Sequence, residues 1–226
     1  MSEHHRPTPD TLPQAAPAPE APSNATVAAR AFVGKIMQRC AEDRGARAAL
    51  RSGLGKPPDR VPRMHRIVGP LLPDWVIQQE DVQRHYYAVA SMIALLPSDQ
   101  LATARKRCDD QGLYGTSLGA TLAKAVAQGT RKGIRQSAAE ARITLLTKQS
   151  VEGLHRHLPS TVRQLQNAEV DIDYARLLTE LRQWQRHRGG VTRRWLQDFY
   201  RARFADERQA AQQADDHTSP TPVPGT

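Results

Sequence analysis

Asp173-Tyr-Ala-Arg-Leu-Leu-Thr-Glu-Leu-Arg-Gln-Trp184 is the stretch that decides the fold. Tyr174, Leu177, Leu178, Leu181 and Trp184 recur three and four positions apart, the period of one α-helical face. Asp173 stands just ahead of them, and its carboxylate suits the free N–H groups of a first helical turn. Beyond Gly189-Gly190 the same period resumes in Val191, Trp195, Leu196 and Phe199, which predicts a last helix behind a glycine break.

Working outward, nearly every periodic segment is helical. Phe32, Val33, Ile36, Met37 and Cys40 share one face of a first helix. A short helix after Gly45 carries Arg47, Leu50 and Arg51. Pro57, Pro58, Pro62, Pro70 and Pro73 predict loops and short turns over 56–74. A long helix from Asp81 to Leu96 places Tyr86, Val89, Ile93 and Leu96 on one side and stops at Pro97. Ser117 can cap a helix running to Gln128, and Ser137-Ala-Ala-Glu140 reads as a capping box with Ile143 and Leu146 facing inward. Pro159 suits the first turn of a helix ending near Ala168.

Alternating apolar runs never exceed four residues and no fixed-period repeat is present, so the expected class is all-α. Short helices with short connections predict two small helical bundles in tandem, 27–108 and 117–208, joined by a linker loop over 109–116. Residues 1–26 hold six prolines, and 209–226 run from Gln/Ala/Asp into Ser-Pro-Thr-Pro-Val-Pro. Both are expected to be disordered tails, because such compositions bury too little apolar surface to offset ordering entropy.

The chain carries a formal charge of +9, but both tails are acidic at −2 each. Residues 27–208 therefore concentrate 31 Lys and Arg against 18 Asp and Glu, a net +13. A surface this basic steers polyanions toward itself.

Catalytic and metal-binding patterns are absent: no GxGxxG, phosphate-binding loop, HExxH or nucleophile elbow occurs. His155 and His157 are two apart, so a helix points their rings in different directions and a shared metal is not expected. A surface pair is the plainer reading of these two histidines. Asp109-Asp110 and Asp171/Asp173 read as loop or capping acids, and Cys40 and Cys108 as small apolar side chains without a ligand partner. Tyr174, Trp184, Trp195 and Phe199 are expected in the core, with Tyr200 outside. No catalytic residue, cofactor, metal or membrane span is expected, and the location is read as cytoplasmic.

The candidate phosphate contacts are Arg47 and Arg51, then Arg84, then Arg105, Lys106 and Arg107. Further along stand Arg131, Lys132, Arg135 and Arg142, then Lys148, and last Arg193 and Arg194. A group Arg60, Arg63 and Arg66 and a pair Arg186 and Arg188 add to the basic total. No helix-turn-helix stands out, so contact is expected with the nucleic-acid backbone, without sequence preference. A helical adaptor making only protein contacts and a transcriptional regulator remain as alternative readings.

Val170-Asp-Ile-Asp173-Tyr174-Ala-Arg-Leu177-Leu178, Trp184 and Thr192-Arg-Arg-Trp195-Leu-Gln-Asp198-Phe199-Tyr200 resemble the end of the CasB family. Arg47-Ala-Ala-Leu50-Arg51, Tyr87-Ala-Val-Ala90, Ser117-Leu-Gly119 with Leu122, Ile143-Thr-Leu145-Leu146, and Leu158-Pro159 with Val162-Arg163-Gln-Leu165 follow the same order. The resemblance spans about 30–204. It implies the small subunit of a type I-E CRISPR Cascade complex, without enzymatic activity. Its partners would be other Cascade subunits, a second copy of itself, the crRNA and the target DNA with its displaced strand. The resemblance also implies a basic strand-contacting position after the paired leucines, where Lys148 stands, and another matched by Arg84.

Overall fold

The computed structural model describes residues 24–109, 115–126 and 132–218. The chain there forms ten α-helices, with no strand among the described residues. They are α1 (Asn24–Glu42), α2 (Arg44–Arg51), α3 (Pro62–Val68), α4 (Asp74–Ile77) and α5 (Glu80–Ile93). After these come α6 (Ser98–Asp109), α7 (Leu118–Lys124), α8 (Gln136–Thr147), α9 (Val151–Asn167) and α10 (Tyr174–Thr218). Single 3-10 turns at Pro58–Arg60 and Gly69–Leu71 flank α3. The all-α expectation is borne out.

Helix starts follow local chemistry. The Asp43 carboxylate accepts from Ala46 N at 2.9 Å, the Ser117 hydroxyl from Ala120 N at 3.3 Å, and the Ser150 hydroxyl from Gly153 N at 3.2 Å. Asp173 accepts from Arg176 N at 2.8 Å, as its position before the decisive stripe predicts. Each bond satisfies a donor that a helix cannot pair internally.

Several boundaries differ from the sequence reading. Pro62 opens α3 within a stretch expected to be loops, because a first-turn proline forfeits no intrahelical bond. Helix α8 starts at Gln136 behind an Arg135 that makes no side-chain cap, so Ser137 lies inside the helix and the expected capping box does not form. Pro159 sits in the interior of α9, where Leu158 and Val162 are both buried, rather than at a helix start. Helix α7 ends at Lys124, and residues 127–131 lie outside the described residues.

The break expected at Gly189-Gly190 falls instead at His187, whose φ of −132° and ψ of 33° interrupt otherwise helical backbone. Beyond it α10 continues through both glycines and on to Thr218, into the segment expected to be a tail. The Gln- and Ala-rich residues 209–214 are good helix formers, no proline intervenes before Pro220, and their side chains are exposed. Residues 1–23, 219–226 and most of the expected linker, 110–114, lie outside the described residues.

Buried side chains from both halves join one core. Helix α10 is its spine, packing against α1, α5, α7 and α8. Trp184, Trp195 and Phe199 are buried, whereas Tyr200 is exposed, as expected. Gly119 of α7 lies so close to α10 that a Cβ there would meet the Trp195 carbonyl oxygen at 1.9 Å. Ser117 strengthens this contact by donating to Asp198 Oδ2 at 2.6 Å.

Candidate nucleic-acid interface

The expected basic positions divide by what the fold asks of them. Arg47 is committed internally: Nε donates to the Ala94 carbonyl at 3.2 Å, one terminal nitrogen to the Leu96 carbonyl, and the other to Ser98 Oγ at 2.6 Å. Arg51 reaches the Leu95 carbonyl at 3.4 Å. Both arginines serve the exposed carbonyl end of α5, where cationic donors are favoured. Arg84 pairs loosely with Glu152 at 3.8 Å, and Lys132 pairs with Glu169 at 2.5 Å on the surface.

Arg135, Lys148, Arg193 and Arg194 are exposed and make no ion pair among the described residues. Arg142 donates to the Ser160 hydroxyl at 3.0 Å. Helices α8 and α10 run antiparallel: Arg203 reaches Gln136 at one end, and Arg188 donates to the Thr147 carbonyl at the other. Arg135 and Lys148 thus mark opposite ends of α8, about 20 Å apart at 1.5 Å per residue. Lys106 is exposed on α6. The side chains of Arg105 and Arg107, and all of Arg131, lie outside the described residues.

A basic group outside the selected set also converges. Lys56, Arg60 and Arg63 surround a depression of about 220 Å³ beside Val61 and Pro62. Three cations within eight residues framed by prolines are the signal that the sequence holds for it. In sequence the prolines mark only turns, although in space they also fold these cations around one point.

The buried polar groups serve structure. Glu180 accepts from Trp195 Nε1 at 2.7 Å and from Arg176 Nε at 2.8 Å. Burial pushes its carboxyl above the usual range, against the pull of Arg176. Asp173 is likewise raised by burial, although backbone N–H groups of Arg176 and Gly115 favour its charged form. Cys40 is buried, and its thiol is pushed up to about 11, which makes it unreactive.

His155, expected at the surface, is instead buried and stacks on His85, with ring centroids 4.9 Å apart. No group of three or more potential metal ligands occurs among the described residues. No helix there is long and apolar enough to cross a membrane.

Exposed cations on a helical frame suit phosphate contact. Comparison with known proteins places the frame. The profile of the CRISPR-associated protein Cse2 family matches residues 46–200. The Cse2 protein of Thermus thermophilus is 31% identical over 167 residues, spanning 72% of this chain and 82% of that one. A chain from a structure described as a CRISPR RNA-guided surveillance complex superposes with a TM-score of 0.66 at 35% identity, covering 82% of this chain and 99% of that one. CasB of M. ruber superposes with a TM-score of 0.61 at 27% identity, covering 81% and 97%. Match length, identity and shared helical fold agree, and the chain belongs to the CRISPR-associated protein Cse2 family, also called CasB.

Proposed function

We propose that this chain is the non-catalytic small subunit of a type I-E Cascade surveillance complex, holding nucleic acid by its phosphate backbone. The observation that carries the reading is the set of exposed cations that form no ion pair among the described residues, Arg135, Lys148, Arg193 and Arg194, along antiparallel α8 and α10. In a guided complex, base pairing reads the sequence, while protein supplies charge to the heteroduplex and to the displaced strand. The partners are the other Cascade subunits, a second copy of this chain, the crRNA and the target DNA, in the cytoplasm and without a cofactor.

Arg142, Lys106 and the depression at Lys56, Arg60 and Arg63 extend the same surface chemistry. Arg47 and Arg51 act mainly as caps of α5, and only groups they leave free would touch phosphate. The test is charge reversal at Arg135, Arg142 and Lys148 in a reconstituted complex. Normal assembly with impaired DNA unwinding supports strand holding. Normal assembly with unchanged unwinding supports an adaptor that makes protein contacts only.

A further inference from the structure

Helix α10 carries two aromatic side chains on its outer side. Tyr200 is 41% exposed and Phe204 61%, the most exposed large apolar side chain among the described residues. They stand four positions apart, so they share one helix face and lie about 6 Å apart along the axis. Trp195 and Phe199 of the same helix are buried, and Phe199 holds the Tyr200 ring edge to face, with centroids 5.2 Å apart and planes at 83°. That contact orients the Tyr200 ring while leaving it in reach of solvent.

The same face is basic. At 3.6 residues per turn, Arg193, Gln197, Arg201 and Arg208 fall beside the two rings, and all four are exposed. None of these three arginines forms an ion pair among the described residues. The acids of this segment are engaged elsewhere: Asp198 accepts from Ser117, and Asp206 and Glu207 pair with Arg203. Arg208 Nε donates to the Phe204 carbonyl at 3.4 Å, which keeps its guanidinium near that residue. Arg203 also reaches Gln136, which brings the start of α8 level with Phe204.

We infer that this face of α10 stacks two unpaired nucleobases, one on Tyr200 and one on Phe204, while the neighbouring arginines take the phosphates of the same strand. The inference rests on the phosphate-holding reading above and adds a base contact that charge alone does not supply. Aromatic rings interleaved with cations suit single strands, because every base has a π-face and stacking adds affinity without sequence preference. Arginines beside the rings add cation–π attraction. A duplex keeps its bases inside its own stack, so the two rings favour an unpaired strand. A partner helix is the poorer fit. A packed helical seam repeats apolar side chains over several turns, whereas this face runs into Gln197 and Arg193 on one side and Arg208 on the other. The family profile matches residues 46–200, so Phe204 and Arg208 stand beyond it.

The test measures binding of the full chain to a fluorescent single strand and to an abasic strand with the same number of phosphates, at several salt concentrations. The unsubstituted chain should hold the base-bearing strand more tightly. Tyr200→Ala and Phe204→Ala should each weaken that strand about fivefold or more, and leave both the abasic strand and the salt slope unchanged. Phe204→Ala removes an exposed ring and should leave Tm unchanged, and Phe204→Trp should keep the preference for bases. Equal affinity for the two strands, or an alanine loss that is the same on both, overturns stacking and leaves phosphate holding in place. Absence of salt-dependent binding to either strand overturns both. If the double alanine variant binds both strands as before but no longer enters a reconstituted complex, the face is a protein interface and the proposal fails.

Discussion

His85 of α5 and His155 of α9 meet ring to ring in the core, with Nδ1 of one 2.9 Å from Nε2 of the other. One nitrogen must donate and the other accept, so the two rings cannot both be protonated. Burial, followed by nearby positive charge, lowers His85 to about 4 and His155 to about 3. The unfolded chain takes up these protons near pH 6.5 and the folded chain does not. Stability is therefore fully present above about 6.5 and falls as pH drops toward 4, by up to ~1.4 kcal/mol per pH unit for each histidine. Urea unfolding between pH 7.5 and 4.5 should show this slope, and a His85→Phe/His155→Leu double variant should flatten it.

Gly119 sets the distance between α7 and α10. Gly119→Ala places a methyl against the backbone of Trp195, which no side-chain rotation can relieve. The cost should be at least about 1–3 kcal/mol, read as a lowered Tm. Gly34→Ala, where a Cβ meets nothing within 4 Å, should be neutral or mildly stabilising.

Glu180 ties the two halves of α10 together across its kink through the Trp195 indole. Glu180→Leu leaves that N–H and the Arg176 guanidinium without their shared acceptor and should cost about 3–5 kcal/mol. Glu180→Gln retains an acceptor and should cost less. Denaturant midpoints of the two variants decide the order.

Arg47 and Lys148 should respond in opposite ways. Arg47→Ala removes three bonds at the end of α5 and should lower stability by about 1–2 kcal/mol. Lys148→Ala should leave Tm unchanged and weaken DNA binding evenly across sequences. Equal loss of DNA affinity without loss of stability in Arg47→Ala would assign Arg47 to the interface after all.

Much of the helical core was legible because burial imposes a period: the stripes from Phe32 to Cys40 and from Tyr174 to Phe199 are buried as read, except that Leu196 is half-buried. Local punctuation was less dependable. Pro159 and Gly189-Gly190 lie within helices because flanking residues such as Val162, Val191 and Trp195 are held in the core, and tertiary packing outweighs propensity. The candidate site was legible as charge and not as geometry. No local pattern distinguishes Arg47, bound to carbonyls almost fifty residues away, from exposed Arg135. His155 likewise finds its partner 70 residues earlier, beyond any spacing rule.

The most direct test of the central claim is the affinity of the full chain for single-stranded DNA of several sequences across a salt series. Logarithmic affinity should fall linearly with logarithmic salt, with a slope of about −0.7 for each phosphate neutralised. The slope should be the same for every sequence and shallower by about two to three such steps in an Arg135→Ala/Lys148→Ala/Arg193→Ala/Arg194→Ala variant. A flat salt response, or a slope unchanged in that variant, contradicts the account.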